Sequence, residues 1–258
     1  MTKRKVALVT GASSGVGEAI AEALAREGYN LVLAARRLEV LQENATRYER
    51  DYSVQAVPVR TDLTLYQDIK RLIETTRSKF GGLLDVLINV AGEFVSLPFV
   101  GTEPQDFVNR YNRAIALMQN AAVYTSVLAL DMLLERKGII VSISSNVGLE
   151  RNVYPNQLPY LGAKAAINHM TRGMDLELRG KGCRAFAIAP GNIDTPLLRR
   201  AVESDKGVKR IVIKKFGGLE EFYSQILKPK DIAEKLLGII QNPDNYQDAV
   251  VEMPSVEF

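Results

Sequence analysis

Short apolar runs alternate with longer stretches of helical spacing along this chain, and that alternation constrains its fold more than any other feature. The runs are Val6–Thr10, Leu31–Ala35, Val54–Val59, Val86–Val90, Ile139–Ile143, Arg184–Ala189 and Ala249–Met253. Near-continuous apolar segments of five or six residues read as strands buried on both faces, which is the signature of a parallel sheet. Helical segments begin between them near Gly15, Leu38, Thr64, Glu103, Tyr160 and Pro229, and turns such as Glu27-Gly28 and Lys137-Gly138 separate them. Each connection is long enough for a right-handed crossover. The expected class is α/β, a doubly wound seven-stranded parallel sheet with helices on both faces.

At 258 residues, with 47% hydrophobic and 24% charged residues, the chain reads as a single domain, 1–258, without linker, repeat or low-complexity tract. The least regular segment is 196–228, which holds Lys206, Lys209, Arg210, Lys214 and Lys215 before Gly217-Gly218. It reads as a solvated basic loop or helix, or as a substrate-binding lid. A net charge of +3 and the lack of interleaved aromatics argue against a nucleic-acid partner. One cysteine, Cys183, excludes an internal disulfide and Cys-based metal sites; one histidine, His169, excludes two-His metal motifs. No metal is expected, and acid–base chemistry falls to Tyr, Lys, Asp or Glu. No uncharged apolar run is long enough for a signal or a membrane span, so a cytoplasmic protein without a membrane partner is expected.

After the first strand comes Thr10-Gly11-Ala12-Ser13-Ser14-Gly15-Val16-Gly17, followed by an amphipathic helix from Glu18 to Arg26. Strand, glycine turn and helix form a phosphate-binding context in a Rossmann-type sheet: backbone without Cβ approaches a pyrophosphate, and the helix N-terminus offers free N–H groups. The spacing is G-x-x-x-G-x-G, not G-x-G-x-x-G. Packing alone would also account for three glycines in such a turn. The second strand ends Ala34-Ala35-Arg36-Arg37. It lacks the acidic residue that binds ribose hydroxyls in NAD sites and offers two guanidiniums for a further phosphate, so NADP(H) is the expected cofactor.

Tyr160-Leu161-Gly162-Ala163-Lys164 places a phenol and an ammonium about 6 Å apart along one helix face. Ser144-Ser145-Asn146 precedes it at the C-terminal end of a strand, where ligands bind in open α/β sheets. With the glycine loop, this constellation resembles the short-chain dehydrogenase/reductase family over nearly the whole chain. Asp62-Leu63 resembles its adenine contact, Asn89-Val90-Ala91-Gly92 its N-N-A-G turn, and Pro190-Gly191-Asn192-Ile193-Asp194-Thr195 its segment beside the nicotinamide. The resemblance implies hydride transfer between the nicotinamide and a carbonyl or secondary alcohol. Tyr160 would be the general acid or base, Ser145 the hydrogen bond to the substrate oxygen, and Lys164 the positive charge that lowers the phenol's pKa. It further implies a homo-oligomer, tetramer or dimer, with the stretch from Arg113 to Arg136 as a contact surface.

Three departures stand out. The family's relay asparagine has no clear counterpart, since upstream spacing points near Ala114 and downstream spacing near Met118, with Asn112 and Asn120 on either side. Val90 replaces the second asparagine of the turn, and the Ser145-to-Tyr160 loop is about two residues longer than usual. The ending Val250–Phe258, together with Arg36-Arg37, resembles a branch of NADP-dependent 3-hydroxy acid dehydrogenases, which makes a 3-hydroxy acid or 3-keto compound a candidate substrate. A catalytically silent NADP-sensing regulator of the same fold is the alternative reading.

Overall fold

The computed structural model describes residues 4–149 and 153–256. Residues 1–3, part of the long loop before Tyr160, and Glu257 and Phe258 of the expected C-terminal signature lie outside the described residues. The elements run β1 (Val6–Thr10), α1 (Gly15–Arg26), β2 (Asn30–Ala35), α2 (Leu38–Tyr52), β3 (Ala56–Arg60), α3 (Tyr66–Phe80) and β4 (Val86–Asn89). They continue with α4 (Pro104–Ile115), α5 (Ala121–Arg136), β5 (Ile139–Ile143), α6 (Leu158–Arg179), β6 (Arg184–Pro190), α7 (Pro196–Ser204), α8 (Lys206–Phe216), α9 (Leu219–Gln225), α10 (Pro229–Gln241) and β7 (Val250–Met253).

All seven strands pair in parallel, in the order β3-β2-β1-β4-β5-β6-β7. The order reverses between β1 and β4, and a crevice opens there beyond the strand C-termini. Alternate residues send side chains to opposite faces. Ala7, Val9, Leu31, Leu33, Ile88, Val141 and Phe186 pack with Ile20, Leu24, Leu41 and Leu236 of α1, α2 and α10. Val6, Leu8, Val32, Leu87 and Ile140 pack with Ile69, Leu72, Ala129, Leu133 and Leu178 of α3, α5 and α6. The doubly wound sheet read from the sequence is therefore the one that forms.

Local differences have local causes. β3 starts two residues after the expected Val54, because Ser53 closes α2 with a left-handed φ of 54° and Gln55 N donates to the Asn30 side chain. The segment 196–228, read as a loop or helix or as a lid, folds into α7, α8 and α9. Short side-chain caps hide this from periodicity: Thr195 accepts from Leu198 N, Asp205 accepts from Gly207 N and Val208 N, and Gly217 ends α8 at φ 82°. A π-turn at Ala116–Asn120 joins α4 to α5. The joined stretch Pro104–Arg136 is by length and composition apolar enough to cross a membrane, yet 44% of its most apolar window is buried inside the fold. α5 exposes Tyr124 and Val127 on the face expected as a contact surface.

The helix that carries Tyr160 and Lys164 is anchored by Asp175, which is 1% exposed. Its carboxylate accepts from Arg184 Nε at 2.8 Å, Arg179 Nε at 2.6 Å and Ala185 N at 2.9 Å, and so fixes α6 to the start of β6. Burial alone would raise the Asp175 pKa; these donors outweigh burial and hold it below the ordinary carboxylate value. This contribution to stability is present above the unfolded carboxylate pKa and is lost as pH falls through the lower, folded value. Asp175→Ala leaves the Arg184 guanidinium buried with the exposed Asp244, 3.6 Å away, as its remaining counter-charge, so a loss of about 3 kcal/mol is expected in urea unfolding at pH 7. A change under about 0.5 kcal/mol would show that the anchor is dispensable.

Candidate active site

The C-terminal ends of β1, β2, β4, β5 and β6 open onto one cavity of about 980 Å³. Its floor is the glycine turn. Gly11 has φ +67°, and a Cβ there would lie 3.1 Å from the Ala91 backbone; Gly15 has φ +60° beneath Thr195. A Cβ on Gly17 would sit 2.3 Å from the Gly11 carbonyl oxygen, so this third glycine lets α1 close against the turn. Thr10 Oγ1 donates to Ile88 O at 3.2 Å and accepts from Val90 N at 3.1 Å, which ties the turn to the 89–92 segment.

Of the expected cofactor residues, Gly11, Ser13, Ser14, Gly15, Val16, Arg36, Arg37, Asp62, Leu63, Ala91, Gly92, Pro190, Gly191, Ile193 and Thr195 all line this cavity. Gly17 and Asn89 do not. Gly17 packs below the turn, and the Asn89 side chain faces α5, where its amide meets Ala122 O and Ser126 Oγ at 3.4 Å and its carbonyl accepts from Thr125 Oγ1 at 2.8 Å. Both residues lie behind the cavity wall, where they support the glycine turn and the 89–92 segment.

The two arginines after β2 also part company. Arg37 Nη2 donates to both Ser13 O and Ser13 Oγ at 3.0 Å, bracing the glycine turn. Arg36 lines the cavity with no hydrogen bond or ion pair among the described residues. Asp62 faces the same end. Burial would raise its pKa, but hydrogen bonds from Thr64 and the charges of Arg36 and Arg113 hold its carboxyl below the ordinary value.

Ser145, Tyr160 and Lys164 meet at the other side of the cavity through a clamp between β5 and α6. Lys164, 4% exposed, donates from Nζ to Ile143 O at 2.8 Å, and Ser144 Oγ donates to Lys164 O at 3.1 Å. Gly148 lies so close that a Cβ there would meet the Lys164 carbonyl at 2.6 Å. The clamp brings Ser145 into hydrogen-bonding contact with Tyr160, whose ring also meets Phe94 edge-on at 5.8 Å. Such groups can hold a polarised oxygen and exchange a proton with it.

Lys164 was expected to lower the phenol's pKa. Instead, burial raises Tyr160, and the Ser145 hydrogen bond opposes that only in part. The ammonium lies 5.6 Å from the ring centroid and gives one of its three N–H donors to Ile143 O. Burial in turn lowers Lys164 to about 8.

Ala114 and Met118, the two positions at which spacing placed the relay asparagine, pack in an apolar cluster with Ala163 and Tyr160. Asn112 is exposed and Asn120 falls in the π-turn; neither side chain makes a hydrogen bond among the described residues. Sequence reasoning missed Phe94, Glu93, Arg113, Tyr154, Leu197, Arg200, Val208 and Ile211, which also line the cavity. They come from loops and short helices past the strand ends, where no periodicity marks them. His169 is exposed on α6, and Cys183 is buried with its thiol pushed up by burial.

Comparison with known proteins agrees with this geometry. The short chain dehydrogenase family profile matches residues 5–206. An uncharacterized oxidoreductase of Staphylococcus aureus is 35% identical over 240 residues, 93% of this chain and 92% of its own length. Glycine betaine reductase of Emericella nidulans is 32% identical over 93% of this chain but only 18% of its own length. Among solved structures, a 7α-hydroxysteroid dehydrogenase complexed with NADH and 7-oxo glycochenodeoxycholic acid superposes with a TM-score of 0.83 at 25% identity. That match covers 96% of this chain and 92% of the other. An alcohol dehydrogenase from the archaeon Thermococcus sibiricus, complexed with 5-hydroxy-NADP, shares the fold with a TM-score of 0.80 at 24% identity, covering 98% and 97% of the two chains.

The buried amine makes a testable statement about pH. Its pKa is about 8 in the folded chain and about 10.4 in an unfolded one, so between those values the unfolded state binds more protons and stability rises with pH. Wild type should therefore gain stability relative to Lys164→Met from pH 7.5 to 9.5, as read by urea unfolding of both. Parallel changes in the two proteins would contradict the depressed pKa.

Proposed function

This chain belongs to the short-chain dehydrogenase family, whose members are oxidoreductases with a nicotinamide cofactor, and we propose that this one uses NADP(H) to interconvert a carbonyl compound and a secondary alcohol. The observation that carries the cofactor choice is Arg36. It lines the cavity without a hydrogen bond or ion pair among the described residues, acting on Asp62 through its charge, after a strand whose last residues, Ala34 and Ala35, offer no carboxylate to ribose hydroxyls. A guanidinium there suits an additional phosphate by charge and by its fork of donors. The floor suits a pyrophosphate, because Gly11 and Gly15 leave the backbone open and Ser13 and Ser14 line the same wall.

When bound, the nicotinamide supplies or accepts hydride. The rest falls to side chains. In the reductive direction Tyr160, kept protonated by its raised pKa, donates its phenolic proton to the substrate oxygen. Ser145 donates a hydrogen bond to that oxygen as charge develops on it. Lys164, charged below pH about 8, holds the cofactor's ribose side and supports the phenolate left on Tyr160. α7 and α8 act as a lid whose Leu197, Val208 and Ile211 exclude water from the reacting atoms. In the oxidative direction Tyr160 is the base, and its raised pKa makes that direction gain with pH. 3-Hydroxy acids and 3-keto compounds are the first substrates to try.

Two substitutions test this reading. Tyr160→Phe should bind NADPH with unchanged affinity and lose at least about 100-fold in kcat, the scale of a general acid; full turnover would contradict the assignment. Arg36→Asp replaces a phosphate partner by a repelling carboxylate, so NADPH should bind about 100-fold more weakly while NADH changes little, as read by fluorescence titration. Equal losses for the two cofactors would refute the choice of NADP(H).

A further inference from the structure

The segment that holds α7, α8 and α9 encloses an apolar core of its own, separate from the two that flank the sheet. Val202, Val212, Phe222, Tyr223 and Ile226 are buried in it, and Leu198, Val208, Phe216 and Leu219 pack against it. Among the described residues one more side chain joins this cluster, Val256, and it alone comes from outside 198–226. It belongs to the stretch after β7.

The same stretch is bound to the wall that follows β6. Gly191 N donates to Met253 O at 3.0 Å, Ser255 Oγ donates to Asn192 O at 3.0 Å, and Asn192 Nδ2 donates to Val256 O at 2.9 Å. The fit is close, since a Cβ on Gly191 would lie 2.8 Å from Ser255 Cβ. Gly191, Asn192 and Ile193 line the cavity on this wall, and Leu197, Val208 and Ile211 line it from the lid. Residues 254–256 therefore touch both the wall beside the reacting groups and the core of the lid.

The lid is also tied where its chain enters and leaves. There the Asp194 carboxylate accepts from Arg199 Nε at 2.7 Å and from Lys228 Nζ at 3.1 Å. A unit packed around its own core and held at the two ends of its chain keeps the freedom to turn about those ends. A further tie through the core removes it.

We propose that Pro254–Val256 is a strap that holds the lid closed on the wall at Gly191–Ile193, with Ser255 and Val256 as positioning residues for the reduction. Ser255 anchors the strap to the wall, and Val256 plugs it into the lid core. Releasing the strap leaves the glycine turn and Arg36 as they are and withdraws Leu197, Val208 and Ile211 from the substrate. The strap thus governs ketone binding and not cofactor binding. Its kinetic consequence rests on the NADPH-dependent reduction proposed above; its mechanical one does not.

The test compares Ser255→Ala, Val256→Asp and Val256→Ile with wild type in two readouts. The first is trypsin cleavage within α8, followed by fragment mass, because Lys206, Arg210 and Lys214 are exposed there and the helix must open before it is cut. Cleavage should rise about 5-fold in Ser255→Ala, the worth of one hydrogen bond. It should rise about 50-fold in Val256→Asp, which sets a charge against the lid core, while Val256→Ile keeps the wild-type rate. The second readout is ketone reduction, in which KM for the ketone should rise in the same order and NADPH affinity should stay unchanged. Wild-type cleavage in both Ser255→Ala and Val256→Asp overturns the proposal. So does a fall in kcat at unchanged KM, or a joint loss of ketone and NADPH affinity, since either marks general damage to the fold. If Val256→Asp does not fold, Ser255→Ala and Val256→Ile decide. If wild type reduces no ketone with NADPH bound, the reductase reading fails, and the cleavage readout still decides the strap.

Discussion

The reciprocal clamp between β5 and α6 is the interaction on which the site depends. Lys164 Nζ reaches back to Ile143 O while Ser144 Oγ reaches forward to Lys164 O, and Gly148 leaves just enough room for the two segments to meet. Neither bond is large by itself, since a buried hydrogen bond contributes about 1 kcal/mol net. Their effect is geometric. Ser145 follows Ser144 directly and Tyr160 lies one helical turn before Lys164, so fixing the two inner residues fixes the two outer ones on a common point. Asp175 secures the far end of the same helix, and the parallel sheet secures β5 between β4 and β6.

Much of this was legible in the sequence because its causes are local and repetitive. Seven apolar runs gave seven strands, and residues spaced by four gave the Tyr160 and Lys164 pair on one helix face. The glycine turn was legible because two of its glycines need positive φ and the third needs the space of a missing Cβ. What escaped depends on contacts distant in sequence. Arg36 and Arg37 are adjacent and identical, yet Arg37 is bound to Ser13, 24 residues away, and Arg36 makes no hydrogen bond or ion pair among the described residues. Asn89 sits in a cofactor-like motif but its amide is committed to α5. The segment after Thr195 hid three helices, because charged and glycine residues break the apolar period and only the caps of Thr195 and Asp205 reveal their starts.

The same contrast explains the electrostatics. The family resemblance implies that Lys164 lowers the phenol's pKa, while burial acts on both groups and favours the neutral form of each. Tyr160 is pushed up and Lys164 down, in a wall made apolar by Phe94, Ala114, Met118 and Ala163. With Ala114 and Met118 where an asparagine was sought, this helix adds no polar side chain beside the pair. Arg36 lines the same cavity beside Asp62, with no hydrogen bond or ion pair among the described residues. The proposed chemistry follows from these groups, with a phosphate on Arg36 and a neutral phenol at the reacting oxygen.

The central claim is that one cavity places an NADP phosphate on Arg36 and a substrate oxygen on Ser145 and Tyr160 at once. A crystal structure of the protein with NADP⁺ and a ketone that it reduces tests it most directly. The account predicts the 2′-phosphate within hydrogen-bonding distance of Arg36 and the ketone oxygen bonded to both hydroxyls. A 2′-phosphate turned away from Arg36, or a ketone seated out of reach of Tyr160, would contradict it.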